Sequence, residues 1–205
     1  MGTVKSLLLG MCFVLGACTS QTSTVQTTEK GTQWEWQNGT IVVKTPERPA
    51  GQKSVLGLTT PKLEAVRVGF VGLGMRGPGA VERFTYIPGT QVVALCDYEE
   101  ARADKCQELL KKASMPKAAV YSGDKGYEEL CKRDDIDLVY IAADWLHHFP
   151  VAKCALENGK NVAIEVPSAM NLQECWDLIN LSESTRKHCF ILENCCYDWF
   201  EMNTL

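Results

Sequence analysis

Between positions 72 and 77 the chain reads Gly72-Leu73-Gly74-Met75-Arg76-Gly77, a spacing of glycines suited to holding a pyrophosphate. The first glycine permits a tight turn and the second lets backbone approach the anion. The third lets a helix pack close to the preceding strand, with the anion at the helix N-terminus. Alone, the pattern is equally an ordinary turn, because glycines cluster in many loops. Here it follows a β-branched apolar run and opens a helix, and Asp97 comes about twenty residues after the last glycine, at the end of a second apolar run. A carboxylate in that position accepts hydrogen bonds from an adenosine ribose and repels a 2′-phosphate. NAD is therefore expected over NADP.

Other chemistry-bearing residues gather after later apolar runs. His147 and His148, beside Asp144 and Trp145, follow the fourth run, at the edge where ligands of such folds bind. They read either as cofactor or substrate contacts or as solvated loop histidines. Glu165-Val166-Pro167 and Asn194 sit at corresponding places after the fifth and sixth runs. From spacing alone, neither is distinguishable from a turn that ends a strand. Cys195 and Cys196 are adjacent, and neighbouring cysteines bridge only with backbone strain.

The elements that must position these residues alternate. Buried strands are expected over 66–71, 91–96, 118–121, 138–142, 161–165 and 189–193. Helical patterns separate them. Pro78 suits the first turn of the first helix, and over 99–112 Ala103, Cys106, Leu109 and Leu110 share one face. A helix over 126–132 comes next. After a loop over 143–149, Pro150 begins a helix that stops at Asn158-Gly159. Asn171, three residues before Glu174, makes a capping-box-like start, with Leu172, Cys175, Trp176 and Ile179 repeating at helical spacing. Six strands separated by helices describe an α/β, Rossmann-type, doubly wound parallel sheet.

The flanks and the composition bound what this domain can be. Residues 1–17 combine Lys5 with an apolar run too short to span a membrane, and Leu15-Gly16-Ala17-Cys18 resembles a bacterial lipobox. Cleavage before Cys18 and its acylation follow, giving an exported lipoprotein anchored to the cell-envelope membrane. Residues 18–63 read as tether and linker. The part up to Gln33 is polar, a small hairpin is expected around Asn38-Gly39, and proline and glycine recur beyond it. Residues 64–198 are long enough for one sizeable core. The net charge of −4, with no basic cluster, argues against nucleic acid as a partner. The ten cysteines include no C-x-x-C pair. Cys96, Cys131, Cys154, Cys175 and Cys189 fall at apolar positions and read as small buried hydrophobes, and no metal site is expected.

Taken together, VRVGFVGLGMRGPG, ALCD, the loop ending W-L-H-H, ALENGKNVAIEVPSAM and LENCCYD resemble the sugar oxidoreductase superfamily of glucose-fructose oxidoreductase and inositol dehydrogenase. Within it the chain is most similar to glycoside hydrolase family 109, whose known activity is an NAD-dependent α-N-acetylgalactosaminidase. The resemblance covers residues 64–205. It implies NAD contacts at Met75 and Arg76 in the glycine loop, at Asp97, at Trp145, Leu146, His147 and His148, at Glu165 and Val166, and at Asn194. Where the family usually has T-P-W-x-W-H this chain has Ala143-Asp144-Trp145-Leu146-His147-His148. The following HFPVAKCAL keeps the register of the superfamily's H-x-P-x-A-x-x-A-L. The superfamily's dehydrogenases typically carry E-K-P, with lysine serving in proton removal. Here the middle residue is Val166, which can neither donate nor accept a proton.

The chemistry implied by the family is a hydride transfer from C3 of the sugar that acidifies C2, then elimination of the aglycone, addition of water and return of the hydride. This is one of the NAD-dependent exceptions to the two-carboxylate scheme, and a retained cofactor suits an exported enzyme. The substrate would be a small sugar or glycan, and a homo-oligomer is compatible with the reading. The superfamily's second domain, an antiparallel sheet that bears much of the catalytic machinery, should begin after Asp198. Only residues 199–205 follow, so the chain reads as the nucleotide-binding half, with the catalytic residues elsewhere. Two alternatives stand beside this: a sugar oxidoreductase of the same superfamily, and a non-catalytic NAD-binding lipoprotein module.

Overall fold

The computed structural model describes residues 26, 27 and 33–204, which fall into two units. The signal segment, Cys18 and most of the tether lie outside the described residues. In the first unit, β2 (Gln33–Gln37) and β3 (Thr40–Val43) form the expected hairpin, with Trp34 opposite Val43 and Gln37 opposite Thr40. Asn38 and Gly39 both have positive φ, 50° and 79°, as a type I′ turn requires. A short strand that the polar composition concealed, β1 (Gln26–Thr27), pairs antiparallel with β2.

The second unit carries the six expected strands, β4 (Val66–Val71), β5 (Thr90–Asp97), β6 (Ala119–Ser122), β7 (Leu138–Ile141), β8 (Asn161–Ile164) and β9 (Cys189–Ile191), although the edge strand β9 is not the buried strand expected, since Phe190 and Ile191 are exposed. All pair in parallel, in the order β6-β5-β4-β7-β8-β9. This is the doubly wound order, with its reversal between β4 and β7. Two helices, α1 (Gly77–Phe84) and α2 (Glu100–Lys112), cover one face. Ala80, Val81, Ala103, Cys106 and Leu110 meet Val68, Phe70, Val92 and Leu95 there. Behind the crevice Phe70 stacks on Tyr140 at 5.1 Å, and Phe84 meets both edge-on.

The opposite face is covered by α3 (Gly126–Cys131), α4 (Trp145–Glu157) and α5 (Leu172–Thr185). Strand β5, like β4 and β7, serves both layers through the alternation of its side chains, and its pairing with β4 shifts register between Val68 and Gly69. One residue is thereby skipped, which switches the faces of the side chains that follow. At the end away from the crevice, Arg67 of β4 donates from Nε and Nη2 to the Asp137 carboxylate, at 2.9 and 2.8 Å, and the Arg67 amide donates to it at 2.9 Å. The Asp137 amide returns a bond to the Arg67 carbonyl at 2.8 Å. The central strands are thus fixed in register before the chain reaches the site.

Three sequence expectations need correction. Helix α4 starts at Trp145, where a loop is expected up to Phe149, because Asp144 acts as its N-cap and accepts from the Leu146 amide at 3.0 Å. Pro150 therefore lies inside the helix. The periodic stripe of α5 is also not a buried face: Leu172, Cys175 and Ile179 are exposed, while Leu178, Ser182 and Glu183 are buried. Periodicity locates an apolar stripe without saying what covers it. The cysteine reading accordingly fails at Cys175. It holds at Cys96 and Cys131, while Cys154 and Cys189 are half-buried, and all cysteines among the described residues are free.

The proline- and glycine-rich stretch before β4 contains no strand or helix over 45–65, yet it is bonded to α5. Arg48 makes a bidentate pair with Glu183 at 2.8 and 3.0 Å, and Gln52 donates to the same carboxylate at 2.9 Å. Arg186 holds the carbonyls of Lys53 and Ser54 at 2.7 and 3.0 Å. Hydrogen bonding to Arg48 and Gln52 keeps the Glu183 carboxyl below its ordinary range.

Candidate functional site

The site is a cavity of about 510 Å³ at the carboxyl edge of the sheet, where β4 and β7 send their following segments to opposite faces. Its floor is the glycine loop. Gly72 has φ +92°, and a Cβ there would stand 2.3 Å from the Ala143 nitrogen. Only glycine lets this turn lie against the end of β7. A Cβ on Gly77 would fall 2.1 Å from the Gly72 carbonyl oxygen, whereas at Gly74 it would meet only Arg102 Nη1, at 3.6 Å. The first and third glycines are therefore filled from within and the second faces open space. The first turn of α1 has no side-chain cap, which leaves amide donors for an anion.

Asp97 closes one end and is 5 % exposed. Its Oδ2 accepts from the Leu73 amide at 2.6 Å and its Oδ1 from the Glu99 amide at 3.0 Å, with Arg102 Nη1 3.4 Å from Oδ1. A carboxylate has about four acceptor positions, so Asp97 braces the glycine loop and retains capacity for a ribose hydroxyl.

The start of α4 forms another wall. His147 Nδ1 lies 2.6 Å from Asp144 Oδ2, and its Nε2 is 3.7 Å from Asp124 in the loop after β6. Burial of Asp144 would raise its pKa, but the hydrogen bond and charge of His147 outweigh it and hold the carboxyl below its ordinary range. His148 differs from its neighbour. It is buried, with Nδ1 2.7 Å from the Pro167 carbonyl and Nε2 2.9 Å from that of Ala143. Both ring nitrogens are engaged, and the side chain ties the start of α4 to the turn after β8.

That turn presents Glu165 and Val166 to the cavity, with a cis bond between Val166 and Pro167. The Tyr140 hydroxyl, reaching from β7, donates to Glu165 Oε1 at 2.8 Å. Burial, then the Glu165 hydrogen bond, pushes the Tyr140 pKa up to about 12 against the opposing effect of Arg83. Tyr140 thus remains a donor and orients Glu165.

Of the residues singled out from sequence, Gly72, Gly74, Met75, Arg76, Asp97, Trp145, His147, His148, Glu165 and Val166 line this one cavity. Gly77 supports it from beneath. Leu146 and Asn194 do not line it: Leu146 is exposed and Asn194 is exposed in a 3₁₀ turn, Asn194–Tyr197. The sequence reading missed Tyr98, Arg102, Asp124 and Tyr127 as lining residues. Arg102 could have been found as the cation nearest Asp97 on the first turn of α2, but the reading of that helix followed its apolar face.

Residues 66–192 match an oxidoreductase family described by its NAD-binding Rossmann fold, the GFO/IDH/MocA family. The chain belongs to that family. It is 81 % identical to glycosyl hydrolase family 109 protein 4 of Phocaeicola vulgatus across all of this chain, which spans 40 % of that relative's length. It is 57 % identical to a family 109 protein of Bacteroides thetaiotaomicron, over 98 % of this chain and 42 % of the relative. The myo-inositol dehydrogenase of Lactobacillus casei, solved with NAD(H) and myo-inositol, shares the fold with a TM-score of 0.58 and 23 % identity, over 68 % of this chain and 42 % of that one. Biliverdin reductase of Synechocystis, solved with NADP⁺, gives a TM-score of 0.53 and 27 % identity, over 62 % and 37 %. The chain thus contains the NAD(P)-binding Rossmann domain of a family 109-type member of the GFO/IDH/MocA family, and spans about two fifths of the length of the curated relatives it matches.

Proposed function

We propose that this chain is the cofactor-binding part of a glycosidase that acts on terminal N-acetylgalactosamine-type sugars and holds NAD through each turnover. The observation that carries the reading is the pair of ends of one cavity. A glycine loop braced by Asp97 suits the adenosine and pyrophosphate, while the far end offers Glu165 and Val166. The bound cofactor would supply a reversible hydride acceptor beside the sugar.

The chain's own residues bind and orient. Gly74 and the uncapped start of α1 admit the anion, Asp97 takes the ribose, and Tyr140 fixes Glu165 toward the open cavity. Val166 has no group to take a hydroxyl proton, so net dehydrogenation lacks a base at that position. On this proposal the base for the C2 proton lies in the additional length of the curated relatives, since this chain spans about two fifths of their length. The similarity to family 109 proteins supports the glycosidase reading, while similarity to sugar dehydrogenases supports the competing one.

The test gives the full-length protein an aryl α-N-acetylgalactosaminide and NAD in deuterated water. Released aryl alcohol, deuterium at C2 and no net NADH are expected. Stoichiometric NADH with the glycoside intact would instead identify an oxidoreductase. We also propose that the protein is exported and anchored through Cys18, which the lipobox-like Leu15-Gly16-Ala17-Cys18 supports. Cys18→Ser should leave unprocessed or soluble protein, and normal membrane fractionation of that variant would remove the lipoprotein reading.

A further inference from the structure

Asp97 alone does not determine the charge at the ribose end of the cavity. Its neighbour Arg102 lines the same cavity and lies between two carboxylates, with Nη2 2.9 Å from Glu99 Oε1 and Nη1 3.4 Å from Asp97 Oδ1. The shorter bond is to Glu99, so the guanidinium is drawn to the outer carboxylate. Nη1 is also the nearest atom to a Cβ built on Gly74, which places this cation against the open part of the glycine loop. Arg76, the other guanidinium lining the cavity, belongs to the glycine loop itself.

We infer, on the reading that this cavity holds a dinucleotide, that the Glu99–Arg102 pair is the latch that makes the site choose NAD over NADP. Around Arg102 two carboxylates, Asp97 and Glu99, face one guanidinium, which leaves a local excess of negative charge; Arg76 lines the cavity from the glycine loop, outside this cluster. A neutral 2′-hydroxyl beside Asp97 tolerates that local excess, whereas a 2′-phosphate is repelled by it and finds Arg102 already bonded. The latch is weakly held. The Glu99 side chain is 57 % exposed and that of Arg102 42 % exposed, and exposed pairs contribute little to stability. Neutralising Glu99 would balance Asp97 against Arg102 and release Nη2, letting the guanidinium meet phosphate oxygens in the fork geometry that suits it.

The inference is tested by calorimetric titration of the purified protein with NAD and with NADP, as wild type, Glu99→Gln, Arg102→Met and the double variant, at low and physiological salt. Wild type should favour NAD. Glu99→Gln should tighten NADP by about tenfold or more while NAD changes by less than about threefold, since the gain is one charge-assisted contact. The double variant should lose the gain, and the NADP affinity of Glu99→Gln should fall with salt. An unchanged NADP-to-NAD ratio in Glu99→Gln, a gain that survives in the double variant, or equal affinities in wild type would overturn the latch while leaving the cofactor reading intact. Binding of neither dinucleotide by folded wild type would overturn both.

Discussion

At the scale of single residues, Asp97 and Tyr140 show how one side chain can serve site and scaffold together. Asp97 would meet a ribose, yet it also accepts from the Leu73 and Glu99 amides. Asp97→Ala leaves both donors without their acceptor and should cost about 1–3 kcal/mol of stability in urea unfolding, besides weakening NAD. A variant that loses NAD affinity with no loss of stability would show that the carboxylate does not brace the loop. Tyr140 allows a cleaner separation. Tyr140→Phe keeps the ring contacts with Phe70 and Phe84 and removes the hydroxyl, with its bond to Glu165 and its interaction with Arg83. A loss of about 0.5–1.5 kcal/mol is expected, together with weaker cofactor binding if Glu165 must be held in place. Glu165 was visible in the sequence. Its partner was not, because Tyr140 lies 25 positions away on another strand and only the parallel pairing of β7 with β8 brings them together.

At the scale of elements, the glycine loop and the start of α4 differ in how much the sequence disclosed. The loop was legible because each glycine answers a local steric demand. Gly77→Ala tests the tightest of these: its methyl would enter the Gly72 carbonyl at 2.1 Å, so loop or helix must move. Overpacking of this kind costs typically about 1–3 kcal/mol, and NAD binding should be lost with it. A thermal midpoint equal to wild type would mean that the loop yields freely. The start of α4 differs from its sequence expectation because Pro150, which suits a first helical turn, lies inside the helix. The stronger signal was Asp144, whose side chain caps the Leu146 amide. Asp144→Ala should cost about 1 kcal/mol as a lost cap and release His147 from its 2.6 Å partner. Asp144→Asn, which retains a capping oxygen, should recover most of the stability.

At the scale of the whole molecule, the alternation of strands with helices pointed to a doubly wound parallel sheet, because right-handed parallel crossovers leave few arrangements, while the order β6-β5-β4-β7-β8-β9 is seen only in the structure. What periodicity could not supply was long-range polar pairing. Arg48 with Glu183 joins positions far apart in sequence, and so does Arg67 with Asp137. The second pair makes the fold's acid response predictable. Hydrogen bonding to Arg67 holds the Asp137 carboxyl below its ordinary range, against an opposing effect of burial. A carboxyl whose pKa is lower in the folded chain adds stability that is fully present above the unfolded value, about 3.9. That stability is lost as pH falls through the folded value. Asp135 and Glu183, lowered by Arg133 and Arg48, act in the same direction. Urea midpoints of the second unit should therefore be level near neutrality and fall below about pH 4. Asp137→Asn should be less stable than wild type at pH 7, and the gap should close as wild type is acidified, since protonation removes the same charge. A gap that persists undiminished at pH 2–3 would mean that Asp137 acts through geometry rather than charge, and that the register of β4 and β7 is held without the ion pair.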